Sequence, residues 1–377
     1  VLLGFLILPA TYLAGVIFSF NPSTSLFGSQ IEPDTFGFTF LAVALSTAIF
    51  FSLRTSREVF SSLMALMAAA IVVFLFQLIQ VFLSSPLPFL AFDSAIVNLV
   101  GKWNDFGLFA GLIAAMLLVT LESLELSRIH KLVVQAVLVV ALMFLVIVNF
   151  QLAWVLVGAV AFVTFVFSLV KHSFSIERLP MGTFLERGAF PAATLLLALF
   201  FLFGGTDTST SIQQALGTEA LEVRPSVEGT RVVLEKVYSQ SPILGTGPNS
   251  FSEAWLLHRP QEVLVTPFWN VGFGAGFGSV PTSFITGGLV IGGAWTLLML
   301  LFIYAAGRAF LSTSQDQGRN FFLTSSLTVA VLYLFATHIF YVPSASMTLL
   351  MFLLIGLFLV TLRGTSLVRT VEVSFSA

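Results

Sequence analysis

Residues 132–170 read LVVQAVLVVALMFLVIVNFQLAWVLVGAVAFVTFVFSLV, thirty-nine positions without one charged side chain. Two apolar runs meet at Asn149 and Gln151. A hydrocarbon core about 30 Å thick needs roughly 20 apolar residues per helix. Each run has that length, so the stretch is expected to form a tight hairpin of two membrane-spanning helices. The same pattern recurs along the chain. Spans are expected near 1–20, 37–53, 58–83, 104–121, 132–148, 152–170, 189–204, 282–310, 321–340 and 345–363. The expectation is an all-α polytopic membrane protein of about ten transmembrane helices.

Composition agrees. The 377 residues are 57% hydrophobic and 9% charged, with mean hydropathy +1.02. A soluble domain carries about 25% charged residues, and a charge at the bilayer centre costs about 2.5–3.5 kcal/mol even on insertion scales. Residues 1–20 lack a basic leader and a small-residue cleavage site, so a spanning helix is expected there rather than a signal peptide. There is no cysteine, which excludes disulfides and thiolate metal sites, and the four histidines are scattered. No cofactor is indicated. A net charge of −2 gives no reason to expect nucleic acid as a partner. No repeat of 20–50 residues is visible, so a solenoid is excluded.

The charges between spans alternate. Eleven of the sixteen basic residues lie in one set of breaks: Arg54, Arg57, Arg128, Lys131, Lys171, Arg178, Arg187, Arg308, Arg319, Arg363 and Arg369. The other set holds Lys102, Arg224, Arg231, Lys236 and Arg259. Basic residues favour the cytoplasmic side. Both termini are therefore expected in the cytoplasm and residues 205–281, the one long polar excursion, outside. This divides the chain into spans 1–7 (1–204), an external element (205–281), and spans 8–10 with a short tail (282–377).

The external element concentrates the candidate residues. Residues 224–240 are expected to be helical, with Pro225 at the first helical position. Arg224 and Arg231 are seven apart, two turns, so they would share a side. Two guanidiniums on one face suit a diphosphate, because each presents a planar fork of donors. Glu228 and Glu235 offer a plainer reading, in which Arg231 makes ordinary surface ion pairs. Then follows Ser241-Pro242-Ile243-Leu244-Gly245-Thr246-Gly247-Pro248-Asn249-Ser250-Phe251. Gly245 and Gly247 either let backbone N–H groups cradle an anion or simply form a turn. Trp269, in Thr266-Pro267-Phe268-Trp269-Asn270, could stack on a sugar or mark the membrane interface. Lys102 sits at the outer mouth of the fourth span. His338, near the outer end of the ninth, is either a proton-exchanging group or a histidine satisfied by a neighbouring helix.

An external helix with spaced arginines, the Ser-Pro-Ile-Leu-Gly-Thr-Gly-Pro-Asn-Ser-Phe turn, and a later histidine near the outer face together resemble the O-antigen ligase family. That family also takes in O-antigen polymerases and protein O-oligosaccharyltransferases. The likeness is sharpest over 224–251, and Ile339 stands where many relatives have asparagine after the histidine. The resemblance implies a metal-independent membrane glycosyltransferase of the C type in the bacterial inner membrane, with its active site on the periplasmic side. The donor would be a glycan on polyprenyl (undecaprenyl) diphosphate, and the acceptor a glycolipid, glycan or protein hydroxyl. By that likeness Arg224 and Arg231 hold the diphosphate and His338 activates the acceptor, with Lys102, Gly245, Gly247 and Trp269 as substrate-binding candidates. Polymerisation of repeat units on the same carrier, and a polytopic transporter or lipid flippase, are the alternatives.

Overall fold

The computed structural model describes residues 2–29, 32–82, 94–174, 181–312 and 318–364. Arg178 and Arg369, counted above towards orientation, lie outside them. Among the described residues the chain is helical without strands. The first helices are α1 (Leu2–Ile17), α2 (Pro22–Phe27), α3 (Phe36–Ser52), α4 (Ser56–Phe82) and α5 (Trp103–Ser123). Next come α6 (Arg128–Val148), α7 (Gln151–Phe174), α8 (Met181–Phe203) and α9 (Thr206–Leu216). The polar excursion holds α10 (Val227–Tyr238) and α11 (Phe251–His258), and α12 (Ser279–Thr286), α13 (Gly288–Ser312), α14 (Gly318–Phe340) and α15 (Ala345–Thr361) follow.

Six of these helices are long and apolar enough to cross a membrane, seven if the pair α8 and α9, bent by 91°, counts as one span. Three more apolar stretches, Phe5–Ile17, Phe36–Ser52 and Ala345–Thr361, are shorter. The eighth expected span is broken rather than continuous: α12 ends at Thr286 and α13 starts at Gly288. Gly288 supplies the required left-handed backbone, with φ +58°.

The chain clusters into two compact units. One comprises residues 53–221, 310–333 and 358–377. It contains residues 132–170, where the expected tight hairpin does not pack as a pair: α6 lies against α5, and α7 against α5 and α8. The turn that joins them has an explicit chemistry. Ser127 caps α6 by accepting from the His130 N–H, and Asn149 ends it in the left-handed conformation, φ 47°. The Asn149 side chain then accepts from Trp154 Nε1 at 2.9 Å, tying the first turn of α7 to the end of α6. The last carbonyls of α6, which have no partner within the helix, take Gln213 Nε2 from α9: Ile147 O at 3.1 Å and Val148 O at 3.0 Å. α5 is buried along nearly its whole length. Phe74, Phe106 and Phe144 interlock beside it at centroid distances of 4.9–6.2 Å, the offset and edge-on arrangements that aromatic pairs prefer.

The other unit comprises residues 1–52, 222–309 and 334–357. Its apolar part joins Phe5, Phe352 and Trp295 edge to face. Ser46 donates to the Phe352 carbonyl, and Gly356 lets α3 approach α15 so closely that an added Cβ would sit 3.0 Å from the Ser46 Cα. The excursion has a small core of its own. Val233, Val237, Phe251, Ala254, Trp255 and Ile285 are buried together, with Phe273 and Val263 packed against them. A polar segment therefore folds because α10, α11 and α12 each contribute one apolar face.

Candidate functional site

α10 starts later than expected. Ser226, not Pro225, governs its start, accepting from the Gly229 N–H at 3.0 Å. A serine oxygen satisfies an otherwise orphaned amide, so the helix begins after it. Arg224 thus lies in the extended lead-in, and the expected shared helical face with Arg231 does not form. The two arginines have different surroundings. Arg231 is exposed and held by Glu228 and Glu235, at 2.6 and 2.8 Å, three and four residues away on its own helix. These carboxylates hold the Arg231 guanidinium pKa above its ordinary value, and the Glu228 carboxyl is lowered in return.

Arg224 instead reaches across the unit. Its Nη1 donates to Phe277 O at 3.1 Å and to Phe340 O at 3.0 Å, and its guanidinium lies 5.1 Å over the Tyr341 ring. Phe340 is the last residue of α14, where carbonyls lack helical partners and the helix dipole favours a cation. The aromatic face adds a cation–π attraction. Tyr341 in turn donates to Glu222 Oε2 at 2.6 Å. Arg224, Pro225, Ser226, Val227, Phe277 and Phe340 line a cavity of about 430 Å³.

His338 lies two residues before Phe340, on the same end of α14, and is 1% exposed. Its Nδ1 is 2.7 Å from Leu334 O and its Nε2 is 3.1 Å from Thr348 Oγ1 on α15. A carbonyl only accepts, so Nδ1 carries a proton, and in the neutral ring Nε2 is the basic nitrogen. Trp295 stacks on the imidazole, with centroids 6.1 Å apart and planes at 23°.

From Trp295 a buried polar chain continues. Its Nε1 donates to Tyr12 Oη at 3.2 Å, and Tyr12 donates to Asp34 Oδ1 at 3.1 Å. Asp34 Oδ2 accepts from the backbone N–H of Asn249, at 3.0 Å, inside the glycine-containing turn. Glu32 binds the Asn249 side chain, and Ser25 donates to Pro248 O at 2.6 Å. Burial raises the Asp34 carboxyl from 3.8 to about 6, against the Asn249 amide and the Thr286 and Tyr12 hydroxyls, which pull it down. The sequence offered a signal for this group: Glu32 and Asp34 are the only acids between the first two apolar runs.

The turn itself serves the break between α12 and α13. Thr246 N–H donates to Ile285 O at 3.2 Å and Gly247 N–H to Thr286 O at 2.7 Å. In the other direction, Leu289 and Val290 N–H donate to Pro242 O and Ile243 O. Gly245 (φ +66°) is there for this backbone-to-backbone approach, whereas Gly247 (φ +104°) gives room to Ser19. Both amides on which an anion cradle would draw are occupied by carbonyls. Trp269 is exposed beyond a short 3₁₀ turn, Gln261–Val265. Lys102 belongs to the unit of residues 53–221, where it precedes α5 and its N–H donates to Asp105 Oδ2 at 3.0 Å.

The structure thus gathers Arg224 and His338 at one end of α14, leaves Arg231 in its own ion pairs, and adds Glu222, Tyr341, Trp295, Tyr12 and Asp34. Among the described residues no group of three or more His, Asp or Glu side chains is placed to hold a metal ion. No protein-family model matches the sequence, and no curated protein matches it.

Proposed function

We propose that the chain is a polytopic membrane glycosyltransferase that moves a glycan from a polyprenyl diphosphate to an acceptor hydroxyl, as in the O-antigen ligase family. In this reading the three shorter apolar helices also span, giving ten, and the α10–α11 element is external. The observation that carries it is Arg224, which lines the cavity of about 430 Å³ and donates to the last carbonyl of α14, Phe340 O, two residues beyond the buried His338.

The roles differ from those expected of a two-arginine helix face. Arg224 faces the diphosphate and stabilises the charge that develops as it leaves, the electrostatic contribution that is often the largest in catalysis. The acceptor oxygen forms its bond to the anomeric carbon while the carbon–oxygen bond to the diphosphate breaks, and the leaving diphosphate keeps that electron pair. The acceptor proton passes to His338 Nε2, a general-base role worth about 10²–10⁴ in rate. To reach Nε2 the acceptor hydroxyl takes the place that Thr348 Oγ1 now occupies. The Trp295–Tyr12–Asp34 chain holds the imidazole plane, and Arg231 stays in the ion pairs of its own helix.

The test is transfer from a synthetic polyprenyl-diphosphate oligosaccharide in liposomes with EDTA present, following release of polyprenyl diphosphate. His338→Ala and Arg224→Ala are expected to lower transfer at least about 100-fold at matched amounts of folded protein. Arg224→Lys, which keeps the charge but loses the fork, should recover part of it. Rates near wild type in both alanine variants overturn the assignment. Wild-type transport of the labelled lipid without covalent transfer favours a flippase.

A further inference from the structure

We infer that the unit of residues 53–221 and 310–333 contains a second, separate binding site, for a single-chain amphiphile whose head group is neutral and donates hydrogen bonds. A cavity of about 760 Å³ lies among α5, α7 and the part of α14 in that unit. This is within the range of about 300–1,000 Å³ typical of ligand pockets. It runs along α7 from Leu156 to Phe167, which at 1.5 Å per residue is about 16 Å. That is a slot shaped for a chain rather than for a compact ligand.

Its polarity is one-sided. Near the Leu156 end the lining is apolar apart from Tyr333, whose hydroxyl donates to Leu108 O at 3.0 Å. At the other end are Glu122 and Ser325, 4% and 8% exposed. Two hydroxyl-bearing side chains of the cavity differ in an informative way. Thr164 donates to Val160 O at 2.6 Å, the usual return to the preceding turn of its own helix. Ser325 does not; its buried Oγ has no hydrogen-bond partner among the described residues. A buried hydroxyl left so is costly, and a ligand that satisfies it recovers that cost.

The head group follows from the partners. Glu122 accepts a hydrogen bond whether or not it is ionised, so a ligand hydroxyl can donate to it while accepting from Ser325. A phosphate head offers mainly acceptors, so it can accept from Ser325 but has no hydrogen to donate to the Glu122 carboxyl. The site therefore selects a neutral hydroxyl head over an anionic one on the same tail, and none of its residues belongs to the Arg224–His338 cluster.

The probes are 1-monoacylglycerol and lysophosphatidic acid of equal chain length, added to the full chain in detergent and read as retained adducts by native mass spectrometry. Wild type should retain one monoacylglycerol per chain, at least about tenfold more than lysophosphatidic acid. Ser325→Ala should weaken retention about three- to tenfold, the loss of one neutral hydrogen bond. Glu122→Gln should narrow the preference between the two lipids. Val160→Trp, which fills the slot, should abolish retention, its fold checked by thermal melting; should it not fold, Ser325→Ala decides alone. Equal retention of both lipids by wild type, or unchanged monoacylglycerol retention in Ser325→Ala, overturns the proposal.

Discussion

Asp34 gives the most quantitative test of the buried polar chain. Its carboxyl is half-buried and accepts from Asn249 N and Tyr12 Oη, yet burial raises it from 3.8 to about 6. Below 3.8 the folded and unfolded chains both hold the proton, and the contribution to stability is complete. Between 3.8 and 6 the folded chain keeps a proton that the unfolded chain has released. Stability therefore falls as pH rises through this window and is level above it. At about 1.36 kcal/mol per pH unit the loss is at most about 3 kcal/mol, and solvent at the open part of the side chain brings it nearer about 2. Asp34→Asn preserves an oxygen for the Asn249 amide and removes the titration. The assay is equilibrium unfolding in mixed detergent and dodecyl sulfate at pH 4, 5, 6 and 7, taking wild type minus Asp34→Asn so that other titrating groups cancel. That difference is expected to fall by about 1.5–2.5 kcal/mol from pH 4 to pH 7. A difference that stays flat, or rises with pH, refutes the burial of Asp34 against the turn.

Gly245→Ala forces a Cβ to 2.7 Å from Gly288 N in a left-handed residue. With about 1–2 kcal/mol for the conformation and about 1 kcal/mol for each disturbed backbone bond, a loss of about 3–4 kcal/mol is expected by the same unfolding assay. Gly274→Ala, where an added Cβ meets nothing within 4 Å, should be near neutral. In the other unit, Gly111→Ala drives a methyl into the Tyr333 hydroxyl and to 3.0 Å from Val157. Tyr333→Phe combined with it should recover stability, and a double-mutant cycle with no coupling would contradict that packing. Asn149→Ala should cost about 1–2 kcal/mol at the turn between α6 and α7, since alanine resists the left-handed conformation and leaves Trp154 Nε1 without its acceptor. Arg231→Gln removes only exposed ion pairs, so its melting temperature should match wild type and its transfer rate should stay within about tenfold, unlike that of Arg224→Ala.

Helices and their apolar runs were legible in the sequence because hydropathy is local: each run needs only its own residues to favour a bilayer and close its own hydrogen bonds. Asn149 and Gln151 marked the 132–170 turn for the same reason, and the ion pairs of Arg231 were legible as three- and four-residue spacings on one helix. Other features depended on segments far apart in the chain. The expected span at 282–310 carried Gly287-Gly288 as a local sign of a break, but the turn of residues 242–247 that holds that break lies elsewhere in the sequence. Spacing alone put Arg224 on a helical face, but Ser226 captured the cap and freed the arginine to reach Phe277, Phe340 and Tyr341. Asp34 and Asn249 are 215 positions apart, and Tyr12 and Trp295 are 283 apart. The sequence by itself determined which segments are helical and apolar, and it named Arg224 and His338. Only the tertiary structure decided what those two side chains touch, because a hydrogen bond is set by the packing that brings its partners within about 3 Å.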